Sequence, residues 1–303
     1  MKVAVYLSSV PKKAKHDAKR AILQRFVQGV VAAGDDCHIV DGVNSIIDAD
    51  VAVIQGWIGM KSGPHLTARK RVIDHQRSLG KHTLIIDSNL FGFLDPSNKD
   101  RYLRYSLDGI FPTTGYYFSN NIDHSRWDTI KQAYGLVERP WRSGNTVLVC
   151  LQREHGWSMG TLALQSWLDD ILPKIRLYTD LPIVIREHPG DPDRLSTINI
   201  CVDNWKKSNN PSIIQDLDSA RCTVTYNSSP GVASLLLGVP VIVTDPNPRN
   251  SQVYPWCMTD LSKINEPELV DRGPFYHQIS QCHFDDQEVV SGYAWRFMRS
   301  RLP

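Results

Sequence analysis

Residues 221–245, RCTVTYNSSPGVASLLLGVPVIVTD, read as strand, turn, helix, strand. Thr223, Val224 and Thr225 are β-formers that run into Tyr226. Asn227-Ser228-Ser229-Pro230-Gly231 then supplies capping oxygens, a proline at a helix start and a small residue for close approach. Val232 to Leu237 is a short apolar helix stopped by Gly238, and Pro240 to Val243 is an uncharged strand. Such a strand belongs in a parallel sheet covered on both faces. A helix start of this kind offers amide N–H groups and a positive dipole end, which suit a phosphate, and Ser228 and Ser229 add hydroxyl donors. The plainer alternative is an ordinary capped helix of an α/β domain.

Upstream of this stretch the same grammar repeats. Val147 to Leu151 reads as a strand, followed by the loop Gln152-Arg153-Glu154-His155-Gly156-Trp157. Leu162 to Ile171 reads as a helix ending before Pro173. Ile183-Val184-Ile185 is a strand leading into Arg186-Glu187-His188-Pro189-Gly190-Asp191, and Ile213 to Asp218 is a short element. Three polar loops, around Arg153, His188 and Ser229, therefore sit at equivalent strand ends. Arginine and histidine beside backbone N–H groups make a pocket for a diphosphate. For His188 the alternative is a ring that only holds its own loop.

The first half gives strands at Lys2–Leu7, His38–Val40, Val51–Ile54 and Thr83–Ile86, the last running into Asp87. Helices are expected over Ala18–Ala33, with Ile22, Phe26, Val30 and Ala33 on one face, and over Pro64–Leu79. Gly56-Trp57-Ile58-Gly59 is a glycine-flanked loop after a strand. The β-α-β-β-α-β order predicts a parallel α/β domain with functional loops at the strand C-termini. Residues 90–125, rich in aromatics, give no clear pattern. Trp127–Tyr134 reads as a helix, Gly135–Asn145 as an interdomain linker, and Val289–Arg301 as a terminal helix.

At 303 residues the chain suits one large or two medium domains, and its 42% apolar and 22% charged residues are ordinary for a soluble protein. The six cysteines form no CxxC or Cys/His zinc pattern and read as reduced core thiols of a cytoplasmic protein. No stretch approaches the roughly 20 apolar residues of a membrane span, and the start reads as a strand rather than a signal peptide. Net charge is +2, unevenly placed: residues 1–143 carry 20 Lys/Arg against 14 Asp/Glu, and residues 144–303 carry 14 against 18. A basic half facing an acidic one points to a polyanion on the basic side, or to a merely solvated basic face.

The series Arg186-x-His188-Pro189, Asn227-Ser228-Ser229-x-Gly231 and Gly238-x-Pro240-Val241 resembles the donor domain of GT-B glycosyltransferases of the capsule-polysaccharide and Kdo-transferase type, over residues 146–245. In one respect the chain departs from that pattern: Ala233 stands where many such helices carry a glutamate that binds the donor ribose. The first half is similar in layout to phage DNA β-glucosyltransferases, in which a strand ends in a catalytic aspartate. Here Leu84-Ile85-Ile86-Asp87 precedes Ser88-Asn89-Leu90-Phe91.

The resemblance implies two Rossmann-like domains facing a central cleft. Expected bounds are 1–142 for the acceptor side, 143–285 for the nucleotide-sugar donor side, and 286–303 for a terminal helix crossing back to the first domain. It implies sugar transfer from a nucleotide sugar, with UDP-glucose the expected donor and no obligatory metal. Gln152, Arg153, Arg186, His188, Asn227, Ser228, Ser229 and Gly231 would bind that donor. Asp87 would act as inverting base, with His188 in a catalytic role. For Asp87 the alternative is a turn carboxylate. The expected acceptor is a 5-hydroxymethylpyrimidine in phage DNA, in the host cytoplasm. Lys12, Lys13, Lys15, Arg69, Lys70 and Arg71 would meet phosphates, and Trp57, Tyr116 or Tyr117 would stack on a flipped base or be core aromatics. The rival acceptor is a capsule or lipopolysaccharide glycan. A non-catalytic nucleotide-binding protein and a sugar-nucleotide epimerase are rivals from other classes. A monomer or weak dimer is expected.

Overall fold

The computed structural model describes residues 1–58, 63–154 and 156–303. Gly59 and His155, named above within their loops, lie outside them. The chain divides into two compact units, residues 1–110, 114–130 and 277–303 in the first, and 111–113 and 131–276 in the second.

In the first unit β1 (Lys2–Tyr6), β2 (Asp36–Val40), β3 (Val51–Gln55) and β4 (His82–Asp87) pair in parallel, with α1 (Asp17–Ala32) and α2 (Pro64–Ser78) as crossovers. The helix from Ala18 and the one from Pro64 lie as expected from their apolar spacing. The sheet is not wholly parallel. Residues 90–125, opaque in the sequence, contain β5 (Tyr102–Leu107), which runs antiparallel to β4. Its side chains are buried throughout, so the alternation that would mark it is missing. α3 (His124–Tyr134) then begins one turn before Trp127.

The second unit holds β6 (Thr146–Cys150), α4 (Leu164–Tyr178), β7 (Ile183–Arg186), β8 (Trp205–Lys207), α5 (Ile213–Leu217), β9 (Ala220–Thr225), α6 (Pro230–Leu236) and β10 (Val241–Val243). Its five strands are all parallel, in the order β10-β9-β6-β7-β8. Pro173 does not end α4. Leu164, Trp167, Leu168, Ile171, Leu172 and Ile175 form one buried face that continues past it. Proline inside a helix costs about 3 kcal/mol. Burying Ile175 beyond it returns roughly 1.5–3 kcal/mol, which offsets most of that cost and carries the helix on. The expected linker, 135–145, is packed: the Trp141 indole donates to the Val270 carbonyl at 3.2 Å, under the Arg272 guanidinium, and Arg142 pairs with Asp218 at 2.8 Å.

The chain then returns to the first unit, earlier than residue 286. α7 (Gly273–Ser280) leads into β11 (His283–Asp285), which adds an edge strand to the first sheet, antiparallel to β5. The terminal helix is two pieces, α8 (Asp286–Val290) and α9 (Tyr293–Arg299), because Gly292 adopts φ +78°. That break lets the segment cross α1 closely. A Cβ on Gly29 would lie 2.0 Å from the Val289 carbonyl oxygen, and one on Gly292 would lie 2.7 Å from that of Gly29. Phe26, Trp295, Tyr105 and Phe284 fill the core on this side, and the Trp295 indole donates to Asp35 at 2.7 Å. Buried Arg126 of α3 pairs with Glu288 and donates to the His283 carbonyl, tying the returning segment down.

Of the six cysteines, Cys150, Cys222 and Cys282 are buried, and burial pushes their thiols up to about 12. Cys201 is exposed, against the expectation of a core thiol. Among the described residues no helix is long and apolar enough to cross a membrane.

Candidate functional site

The second sheet is wound outward from β6 in both directions, so its topological switch point lies between β6 and β9. Ligands of open α/β sheets bind beyond the strand C-termini at such a point. The strand ends are in register there: Cys150 pairs with both Thr225 and Arg186, and Thr225 with Val243. Two residues past each of these ends stands a polar side chain. Across the sheet the row reads Asp245, Asn227, Gln152, His188.

Three members of the row are bonded together and buried. Gln152 Nε2 donates to Asn227 Oδ1 at 2.5 Å, and Asn227 Nδ2 donates to Asp245 Oδ2 at 2.6 Å. Asp245 Oδ1 accepts the Asn247 N–H at 2.8 Å. Asn227 is therefore a tie between loops and its amide is held from both ends.

His188 is half-buried, and its Nδ1 accepts the Gly190 N–H at 2.9 Å. In the neutral ring the proton is then on Nε2. Burial, reinforced by the charge of Arg153 and opposed by Asp191, lowers its pKa from the ordinary value, so the neutral form holds at pH 7. The exposed Arg153 reaches the same spot: a Cβ on Gly190 would lie 3.2 Å from the His188 ring and 3.6 Å from Arg153 Nη1.

Ser228 lies partly exposed and exchanges a 2.8 Å hydroxyl bond with Thr225. Ser229 is exposed and occupies the N-cap of α6 without a side-chain capping bond. The amides expected to be free are not all so. Gly231 N–H goes to the Ser228 carbonyl at 3.1 Å and Val232 N–H to that of Ser229 at 2.9 Å. Gly231 is small because Val253 and Val241 press on it, at 3.2 Å and 3.4 Å from a Cβ.

Arg186 does not join this group. Its Nη1 donates to Asp216 at 2.6 Å and to the Asn210 carbonyl at 2.9 Å, and the Asp216 side chain is buried. The guanidinium holds the loop after β8 and is engaged there by Asp216, where the sequence reading expected it to be presented to the donor. Ala233, in the place of a ribose-binding glutamate, is buried.

In the first unit Asp87 ends β4, opposite Arg104 of β5. Its Oδ1 accepts the Ser88 N–H at 2.6 Å, and its Oδ2 lies 3.7 Å from Nη2 of the buried Arg104. Arg69 is no free phosphate contact. Its Nε donates to the Ser9 carbonyl and its Nη1 to that of Trp57, both at 2.9 Å, so it locks the loops after β1 and β3. Burial pulls its guanidinium down to about 10, against the opposing charge of Asp87. Lys70 pairs with Asp74, Lys12 with Asp41, and Arg71 donates to Asn44. Lys13 and Lys15 are exposed, with no side-chain partner among the described residues. Tyr117 is a core residue, not a stacking platform: it is 1% exposed and its phenol donates to the Ile110 carbonyl. Trp57 and Tyr116 are partly exposed, and Tyr116 packs edge-on against Phe118.

Asp245, Asp216 and Arg104 escaped the sequence reading. For Asp245 a signal existed, since it stands at the same offset past its strand as Asn227 and His188. Arg104 lay in a segment whose strand was not visible. Among the described residues no three His, Cys, Asp or Glu side chains are grouped to hold a metal ion.

No protein-family model matches the chain, and no curated protein does. Solved structures do. The β-Kdo 2,7-transferase of Thermosulfurimonas dismutans KpsC aligns with a TM-score of 0.50 and 13% identity, over 98% of this chain and 99% of that one. Its β-Kdo 2,4-transferase gives a TM-score of 0.53 and 14% identity, over 96% and 98%. Methanocaldococcus jannaschii UDP-GlcNAc 2-epimerase, in complex with UDP-GlcNAc and UDP, is more distant, with a TM-score of 0.36 and 12% identity over 99% and 100%. The chain has the GT-B fold and resembles glycosyltransferases of the Kdo-transferase type.

Proposed function

From this fold we propose that the chain moves a sugar from a nucleotide-sugar donor to a hydroxyl acceptor. The observation that carries the reading is the polar row at the switch point of the second sheet, with Arg153 and the Nε2–H of His188 at its open end. As the glycosidic bond breaks, negative charge builds on the departing diphosphate. Arg153, neutral His188 and the hydroxyls of Ser228 and Ser229 would stabilise it there, where fixed donors lower the barrier most. With these donors in place the reading needs no obligatory metal. UDP-glucose is the donor we propose to try first. Asp87, one oxygen fixed by Ser88, would take the proton of the acceptor hydroxyl, giving inversion.

For the acceptor we favour a glycan hydroxyl. Of the six basic residues available for a DNA backbone, Arg69 is engaged by two backbone carbonyls, while Lys12, Lys70 and Arg71 have local partners. A hydroxymethylpyrimidine in duplex DNA is the second reading, favoured by the free Lys13 and Lys15.

Incubation with a panel of nucleotide sugars, with and without glycan acceptors, tests the proposal. Transfer, or slow donor hydrolysis, supports it. Interconversion of the sugar nucleotide would make the chain an epimerase, and nucleotide binding without turnover would make it a binding module.

A further inference from the structure

The bonded row at the crest of the second sheet has a direction. Each amide donates toward the acid: Gln152 to Asn227, and Asn227 to Asp245. A carboxylate only accepts, so Asp245 forces Asn227 to present its NH₂ to it and its oxygen to Gln152. Gln152 must in turn present its NH₂ to Asn227. Neither amide can flip without opposing like ends. The Gln152 Oε1 is left as the acceptor end of the row, and it makes no hydrogen bond among the described residues. The members are 5%, 4% and 9% exposed, so the bonds are shielded from competing water. Asp245 is itself held by the Asn247 N–H.

The sugar–nucleotide site needs such an acceptor. The Ala233 side chain has no polar atom to offer a ribose hydroxyl, and Arg153, His188, Ser228 and Ser229 contribute mainly donors. Gln152 stands beside the switch point, between Asn227 and His188 in the row.

We propose that Asp245 is a positioning residue which, through Asn227, fixes the Gln152 amide so that its Oε1 accepts a hydrogen bond from a hydroxyl or N–H of the bound nucleotide. This rests on the reading of the second sheet as the donor site. Asp245 does not touch the nucleotide. With asparagine at 245 only the longer bond from Asn227 Nδ2 to the Ser158 carbonyl, at 3.3 Å, still sets the direction of the row, and both amides gain a second orientation that turns an NH₂ where Oε1 should be.

The test is a double-mutant cycle read by calorimetric binding of UDP, CMP and GDP. Asp245→Asn and Gln152→Ala are each expected to weaken binding of the preferred nucleotide about tenfold. Because one acts through the other, the double variant should bind no worse than Gln152→Ala alone. Thermal melts run in parallel should stay close to the parent for Asp245→Asn, which keeps the side-chain shape. If Asp245→Asn does not fold, Asn227→Ser cuts the row between its ends and takes its place. A further tenfold loss in the double variant, or unchanged affinity in both singles, overturns the inference while leaving the donor site intact. A parent chain that binds none of the three nucleotides overturns the donor-site reading, and this inference with it.

Discussion

His283 shows how far a buried side chain departs from its solution chemistry. It is fully buried; its Nδ1–H donates to the Ile279 carbonyl at 2.7 Å, and its Nε2 accepts the Leu90 N–H at 3.3 Å. Burial, with Arg104 and Arg126 nearby, takes its pKa from 6.5 down to about 3, although the bond to Ile279 pulls the other way. The unfolded chain therefore binds a proton at this residue that the folded chain refuses. Stability must fall as pH drops from about 6.5 toward 3, by about 1 kcal/mol between pH 6 and pH 5 for this group alone. His283→Gln keeps a donor and an acceptor but does not titrate. Urea midpoints across pH 7 to 5 should show the flatter acid limb in that variant, and parallel limbs would mean that His283 is not the group responsible. Arg186 teaches the same lesson in charge. Its motif suggests a ligand, but a buried aspartate already holds it.

Among the elements, the crossing of α1 and the α8–α9 break is the contact with least room. Glycine to alanine within a helix ordinarily gains about 1 kcal/mol. At Gly29 the added methyl would sit 2.0 Å from the Val289 carbonyl, which is backbone and has no rotamer to yield. Overpacking of this kind costs roughly 1–3 kcal/mol or more, so the clash outweighs the propensity. Gly29→Ala should lower stability by about 1–2 kcal/mol net, measured by chemical denaturation. A stabilised variant would show that the helices do not cross this closely. α4 gives the converse case, in which an apolar face overrides the proline within it.

At the scale of the whole molecule, charge is the quantity most altered by folding. The sequence halves differ by +6 and −4, but the compact units do not follow the halves. The returning segment brings Asp285, Asp286 and Glu288 to the first unit, which then holds 20 Lys/Arg against 16 Asp/Glu; the second holds 14 against 16. The basic surplus is +4 rather than +6, and much of it is paired locally. Counterion release makes duplex binding fall steeply with salt in proportion to the phosphates neutralised. With Lys13 and Lys15 as the free cations among the six, we expect weak DNA binding, with a shallow slope set by about two phosphates. Gel shifts at 50 and 200 mM salt, using plain and hydroxymethylated duplexes, measure it. A steep slope lost on Lys13→Glu and Lys15→Glu would restore DNA as the acceptor.

The sequence by itself determined the alternation of strands and helices in both halves, since periodic apolar spacing and glycine or proline punctuation are local signals. It also located the loops around Arg153, His188 and Ser229 past the strand ends. Tertiary structure alone decided the rest. β11 is three residues long and its partner β5 lies far back in the chain, so pairing rather than propensity makes it a strand, while β5 is buried on both faces and shows no alternation. Which polar residues are left for a ligand was decided the same way. Arg69 and Arg186 are used up by carbonyls and a carboxylate from distant loops, while Asp245 enters the row only because β10 lies beside β9. A side chain's partners are fixed by which strand ends share an edge, and spacing along the chain does not encode that.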